Sequence, residues 1–439
     1  MTKNGRPFYF KEKKMSGSKK YDVAIVGAGP GGAGSALNLL QAGLRPVIIE
    51  KEQFPRYHIG ESLTGECGAS LRKLGLEEWM EAVHNPVKYG VTVYGAGGKN
   101  SFWVPVAERI SKDEIRLLTT WQVLRSKFDQ KLLDTAIAHG ADYLPCEAIA
   151  PLQEDDRLAG IRFRTPGGAT EDLQAEVVID ASGQNTFLAS RGVIGPKERG
   201  PYDKQVAIFS QVAGAARDPG EAAGNTLIFY QKKHHWAWFI PLDDEIVSIG
   251  VVVPAEYFKA QKLSKPDFLS RELRNLNPEL SKRITNMNFL EEVRSISNYS
   301  YEIKHFTGKG FLCVGDSHRF IDPIFSFGLY FAMKEAEFAT QTVVDYCAGK
   351  NREVANPFVE YEKLVSQGQD VVQDLVDCFW DFPLAFALFA HQRYTYDIVD
   401  CFAGRIYGEY AQNLDGVKGM RRLLATRQQN QDQRLSGSG

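Results

Sequence analysis

A short apolar strand that runs into a glycine-rich turn and then directly into a helix constrains this chain more than any other segment. Tyr21-Asp-Val-Ala-Ile-Val26 is β-branched and apolar enough to be buried on both faces, as strands of a parallel sheet are. Gly27-Ala-Gly-Pro-Gly-Gly32 follows. Gly27 makes the tight exit, Gly29 lets backbone approach a pyrophosphate, and Gly32 permits close helix–strand contact. The helix expected from about Gly31 to Ala42 points its positive end at the phosphates. Gly43 ends it, and Pro46-Val-Ile-Ile-Glu50 supplies a second strand. Glu50 falls where an acidic side chain meets a ribose hydroxyl. A ligand-free turn is the plainer reading of the glycines alone; with strand, helix, second strand and acid all in place, dinucleotide binding is the expectation.

The bulk properties narrow the partners. A chain of 439 residues is long for one core, so more than one packed unit is expected. A formal net charge of −2 leaves no basic excess for displacing phosphate counterions, which argues against nucleic acid. No apolar run reaches membrane-span length, and the lysine-rich start lacks the apolar core of a secretory signal. The six cysteines show no CxxC spacing, so neither a metal site nor a disulfide framework is indicated, and a cytoplasmic location is expected.

Three later segments favour FAD as the dinucleotide. Trp121-Gln-Val-Leu-Arg125-Ser-Lys-Phe-Asp129 resembles the Arg-x-x-Phe-Asp helix start of aromatic-hydroxylase-like flavoproteins, in which the arginine faces the cofactor. Ala175-Glu-Val-Val-Ile-Asp180-Ala-Ser-Gly183 resembles a second element of that group, and Gly310-Phe-Leu-Cys-Val-Gly315-Asp316 a third, whose Asp meets a ribityl hydroxyl. An Asp after an apolar strand is more often a turn residue; the order of the motifs favours the functional reading for Asp316 and leaves Asp180 open. No second GxGxxG follows a strand, so reducing equivalents are expected from a separate flavin reductase.

Trp236-Ala-Trp-Phe-Ile-Pro241 resembles the Trp-x-Trp-x-Ile-Pro signature of flavin-dependent halogenases. Alternation puts Trp236, Trp238 and Ile240 on one face of a strand. As bland core they need no further role; beside a flavin, the two tryptophans would shield its reactive side. Gly60-Glu-Ser62 fits halogenases and geranylgeranyl-reductase-like flavoproteins equally. Asn85-Pro-Val-Lys88-Tyr-Gly resembles the lysine-bearing stretch of the pyrrole and phenol halogenases, and Gly315-Asp-Ser-His-Arg-Phe-Ile-Asp322-Pro-Ile-Phe-Ser326-Phe-Gly328 resembles their flavin-and-halide loop. Most lysines are solvated surface charges; the resemblance is what marks Lys88.

The resemblance spans about residues 20–420 and is nearest the carrier-protein-dependent pyrrole and phenol halogenases. It implies that Lys88 is catalytic, reached through a tunnel, and passes halogen from hypohalous acid to an electron-rich aromatic, free or tethered to a carrier protein. It implies that backbone amides of Phe327 and Gly328 hold chloride or bromide. The implied FAD set is Gly27, Gly29, Pro30, Gly31, Gly32, Glu50, Lys51, Arg56, Ser62, Arg125, Ala181, Gly183, Asp316, Pro323, Ser326, Gly328 and Leu329. Two departures matter. Phe325 stands where tryptophan halogenases carry Glu, which argues against free tryptophan, and Phe327 stands where this group usually has Ser, which alters the cavity. The alternative is a non-halogenating monooxygenase, oxidase or geranylgeranyl-reductase-like enzyme.

The expected fold is α/β: a Rossmann-like FAD domain of aromatic-hydroxylase or glutathione-reductase type, a mostly antiparallel substrate-covering sheet, and a C-terminal helical region. The expected division is a disordered basic tail over 1–19; the FAD domain over 20–90, 120–190 and 300–345; the sheet over 91–119 and 191–299; helices over 346–425; and a polar tail over 426–439. The aromatic-rich Phe379–Phe389 stretch reads as core, or else as a lid or a carrier-docking face.

Overall fold

The structure, a computed structural model, describes residues 20–111, 114–200, 204–297 and 300–436. The expected basic tail of residues 1–19 lies outside the described residues.

Strand Tyr21–Val26 lies at the centre of a parallel sheet, between Pro46–Ile49 and the end of Thr170–Asp180. Asp142–Leu144 and Phe311–Cys313 extend it in parallel on either side. Val23, Ile25, Ile48 and Ile49 are buried, and each contributes roughly 1.5–3 kcal/mol of apolar transfer. Helix Pro30–Gln41 packs between the sheet and helix Gly328–Cys347. The first half of Thr170–Asp180 leaves this sheet to pair antiparallel with Arg157–Arg164, which in turn pairs with Glu147–Glu154.

A second sheet of eight strands stands against the first. Its pairs are antiparallel except Thr226–Lys232 with Gly90–Tyr94. Period-2 alternation gives it two different faces. Ala207, Phe209, Trp236, Trp238 and Ile240 join the main core on one side. Ile208, Ala237 and Phe239 point the other way, into a smaller core with Phe268, Leu269 and Leu273 of helix Lys265–Asn275. That helix was not anticipated for a region expected to be sheet; Ser264 caps it, accepting a hydrogen bond from the Asp267 N–H at 3.3 Å.

The C-terminal helices close one end, with Val359–Asp381 packed on Asp415–Ser436. This last helix corrects the polar tail expected from residue 426. The Gln- and Arg-rich sequence from Thr426 is hydrophilic but rich in good helix formers, with no Gly or Pro between Thr426 and Ser436, so the helix continues. No helix among the described residues is long and apolar enough to cross a membrane.

Candidate active site

A cavity of about 530 Å³ opens between the two sheets, and the residues lining it come from every flavin and tryptophan motif singled out above, but not from residues 85–90. At one end lies the glycine turn. Gly27 has φ +103°, and a Cβ on Gly32 would stand 1.9 Å from the Gly27 carbonyl oxygen, so strand and helix meet there at backbone contact. The first amides of helix Pro30–Gln41 lack intrahelical acceptors and make an anion site. Arg56 reaches this end: its Nη2 would lie 3.4 Å from a Cβ on Gly29. Glu50 lines the cavity, with Oε2 accepting from the Ala28 N–H at 2.9 Å and Oε1 from the Glu52 N–H at 2.8 Å. Each oxygen keeps a lone pair for a ribose.

Arg125 is 5% exposed and largely committed to the protein. It forks onto Asp129 at 2.7 and 2.9 Å and donates to the carbonyls of Ile59 and Gly60. Its work is to hold the Gly60–Ser62 loop in place while contributing charge to the cavity wall.

The wall from the third flavin motif rests on a buried network. Glu335 accepts from the Gly315 N–H at 2.6 Å and from Gln369 at 2.8 Å, and pairs with His318 at 2.9 Å. Burial, with the Glu335 charge behind it, pushes the Asp316 carboxyl up to about 7. Ser326 sits at φ +61°, turning the chain into helix Gly328–Cys347. Ser326, Gly328 and Leu329 line the cavity, but Phe327 does not: its ring is 3% exposed and packs on Phe331 at 5.8 Å. This corrects the expectation that Phe327 alters the cavity. The aromatic ring points into the core, so the loop keeps only its backbone amides for an anion.

Opposite stand Trp236, Trp238 and Ile240, as strand alternation required. The Trp238 indole N–H donates to Ser248 Oγ at 3.1 Å, and Ser248 Oγ–H donates to Glu61 Oε2 at 2.9 Å. The residues present fit FAD. The cradle excludes a Cβ at Gly32, Arg56 lies beside it, and the Trp236 indole N–H is buried at the far end without a partner among the described residues.

Lys88 ends the short strand Val87–Lys88, which pairs with Thr120–Trp121. Asn225 fixes the chain just beyond, its Oδ1 accepting from the amides of Tyr89 and Gly90 at 2.9 and 2.8 Å. The amine is 2% exposed and donates to Ser62 Oγ at 2.9 Å and to the Leu63 carbonyl at 2.8 Å. Burial lowers its pKa to about 7, opposed only by the nearby Cys67 thiol. A neutral amine has two N–H groups and one lone pair, so the two acceptors leave the lone pair available. Lys88 is not part of the cavity wall; its link to the cavity is a hydrogen bond to Ser62, where an open tunnel was expected. Ser62 in turn meets Thr226 at 2.7 Å, and Gln122 donates to Thr226 at 2.9 Å.

Of the residues expected to touch FAD, Gly27, Gly29, Pro30, Gly31, Glu50, Lys51, Arg56, Ser62, Arg125, Ala181, Gly183, Asp316, Pro323, Ser326, Gly328 and Leu329 line the cavity. Gly32 lies behind them as the contact point. Asp180, left open by the sequence, is a turn residue: its two oxygens accept from the amides of Ser182 and Leu188 at 3.0 and 2.8 Å. Glu61, Thr226, Gln122 and Ser248 were missed as site residues. Their signal was a polar residue inside an otherwise apolar strand or motif.

Residues 20–351 match the FAD binding domain family. The chain is 37% identical over 372 residues to the 1H-pyrrole-2-carbonyl-[peptidyl-carrier protein] brominase of Pseudoalteromonas luteoviolacea, covering 85% of this chain and 88% of that protein. It is 28% identical to the corresponding chlorinase of Pseudomonas fluorescens, covering 92% of this chain and 93% of that one. Among solved structures, the flavin-dependent brominase Bmp2 superposes with a TM-score of 0.87 at 34% identity, over 94% of this chain and 100% of its own. These relatives set aside the non-halogenating alternative. With its FAD cradle and paired tryptophans on one cavity and a buried lysine one hydrogen bond behind it, this chain belongs to the flavin-dependent halogenases.

Proposed function

We propose that this halogenase acts on a pyrrole-2-carbonyl group tethered to a carrier protein, with Lys88 as the residue that delivers halogen to the ring. When bound and reduced, the flavin would supply two electrons and one proton toward turning O2 and a halide into hypohalous acid and water, a conversion that takes up two further protons. Gly27–Gly32, Arg56 and Glu50 hold the phosphate and ribose end. The tryptophans exclude water from the other end. The amides of Phe327 and Gly328 hold chloride or bromide. A separate flavin reductase supplies the reduced cofactor, since the sequence carries one dinucleotide cradle.

The observation that carries the reading is the Lys88 amine, buried and with its lone pair available, one hydroxyl away from the cavity. With both N–H groups engaged, a desolvated amine can take the halogen on its nitrogen lone pair, losing a proton as it does so. The pyrrole and the carrier are supported by the two relatives named for that substrate.

The test is product mass spectrometry. Enzyme, FAD, a flavin reductase, NADH and bromide or chloride are incubated with carrier-loaded pyrrole-2-carboxylate, and separately with the free acid. The expected product is the carrier-bound pyrrole with halogen in place of hydrogen, recognised by its isotope pair. Halogenation of the free acid at an equal rate would overturn the carrier requirement.

A further inference from the structure

Glu61 belongs to a motif whose sequence resemblance assigned it no role. Glu61 is 1% exposed and is among the residues lining the cavity. One oxygen, Oε2, is held from behind by the Ser248 hydroxyl, which the Trp238 indole holds in turn. The other, Oε1, is buried and has no hydrogen-bond partner among the described residues. A buried carboxylate with a bare oxygen is costly, so burial favours the protonated carboxyl.

The surroundings agree. Arg125 faces the group from its helix, Gln211 and Ser248 from two strands, and Tyr57 from the same loop. Tyr57 stays neutral, because burial raises its phenol well above the usual range. The anion-favouring contacts from Ser248, Arg125, the Gly60 amide and Gln211 do not outweigh burial, which pushes Glu61 up to about 7. The other carboxylates on the cavity are differently placed. Glu50 is tied to backbone, Glu52 is exposed, Glu147 pairs with Arg164 at 3.0 Å, and Asp316 lies on a different loop near Lys197 and Gln184. Phe325, where tryptophan halogenases carry their acid, has none to offer.

We propose that Glu61 is the acid of this cavity: its Oε1–H gives one of the two further protons consumed when O2 and halide become hypohalous acid and water. The O–H bond of Glu61 breaks, the proton goes to the departing oxygen, and the carboxylate left behind is held by Ser248 and faced by Arg125. Solvent supplies the second proton and restores Glu61 before the next cycle. No electron passes through Glu61; the reduced flavin provides both, together with the third proton. The inference rests on the halogenase assignment and not on Lys88.

Two readouts test it. In the cofactor-free full chain, tryptophan fluorescence should titrate with a component near pH 7 that reports Trp238 through Ser248. Glu61→Gln should remove that component. In the FAD-loaded enzyme with a flavin reductase, NADH, saturating bromide and no aromatic substrate, hypobromous acid captured by a non-aromatic 1,3-diketone trap should form on the order of 10²-fold more slowly in Glu61→Gln. FAD affinity should change less than about threefold, within what loss of one rim contact costs. The wild-type rate should fall as pH rises through about 7, because the acid form is the competent one. Ser248→Ala, which frees Oε2 from its donor, should move that fall to higher pH, and it serves as the test if the Gln variant does not fold. A Glu61→Gln enzyme that keeps the wild-type rate and pH profile would overturn the proposal, as would an unmoved profile in Ser248→Ala. Because no aromatic substrate is present, neither result depends on Lys88.

Discussion

Replacing Lys88 by methionine should abolish halogenated product, by 10²-fold or more, while FAD binding and hypohalous acid formation stay within about twofold of wild type. The methionine fills the buried volume and removes only the amine. Mass spectrometry of the aromatic product and capture of free hypohalous acid by a non-aromatic 1,3-diketone separate the two steps. Loss of both would place Lys88 in the cofactor's chemistry rather than in delivery. The same variant carries a stability signature. In the folded protein burial lowers the Lys88 pKa from 10.5 to about 7. Between those values the unfolded chain binds more protons than the folded one, so lysine weakens the fold progressively as pH falls from about 10.5 to about 7. Below about 7 the penalty is constant. At about 1.4 kcal/mol per unit it amounts to several kcal/mol, partly offset by the hydrogen bonds to Ser62 and Leu63 that methionine forfeits. Lys88→Met should therefore denature at higher urea than wild type at pH 6, with the gap closing towards pH 10. A gap that stays constant with pH would mean that the amine is not titrating in the fold.

The two buried groups pull in opposite directions with pH. Delivery by Lys88 needs the free amine and gains as pH rises through about 7, whereas the acid form of Glu61 is lost over the same range. Overall turnover with aromatic substrate should thus peak in a narrow band near neutrality, with two limbs that belong to different residues. Glu61→Gln should erase the alkaline limb alone.

The nucleotide half of this site was legible because its chemistry is local. A tight turn, a close contact and a helix start fall within one dozen residues, and the spacing itself is the message. The same holds for Trp236 and Trp238, whose alternation fixed their shared face before any neighbour was known. What could not be read were relations between distant segments. Lys88 owes its lowered pKa to burial beside Ser62 and Leu63, and Glu61 owes its bare oxygen to Ser248, 187 residues away. Phe327 illustrates the converse. Its neighbours in sequence suggested a ring in the cavity, but a residue at the start of helix Gly328–Cys347 finds its packing partner one turn on, at Phe331. Helix Lys265–Asn275 was readable and was missed: Ser264 followed by Lys-Pro-Asp is an N-terminal signal that outweighs the surrounding alternation.

Two glycines three residues apart in the same turn, Gly29 and Gly32, should fail in different ways, and the difference tests whether the cradle holds the fold or the cofactor. At Gly32 a Cβ would lie 1.9 Å from the Gly27 carbonyl oxygen and 2.9 Å from its carbon, both backbone atoms of the central strand's exit. No side chain can move to relieve that contact, so helix Pro30–Gln41 must lift off the sheet. Gly32→Ala should cost on the order of 3 kcal/mol or more, read as a lowered unfolding temperature of the cofactor-free chain, and should abolish FAD binding as a consequence. At Gly29 the backbone has φ −66°, which any residue adopts, and the nearest atom to a Cβ is Arg56 Nη2 at 3.4 Å, the end of a flexible side chain. Gly29→Ala should leave the unfolding temperature of the cofactor-free chain near wild type. Its methyl projects toward the pyrophosphate, so FAD affinity should fall by tenfold or more, measured by quenching of flavin fluorescence on titration. Equal losses of stability in both variants would mean that Gly29 serves packing and not the phosphates. An unaltered affinity in Gly29→Ala would move the cofactor's phosphates away from this turn altogether.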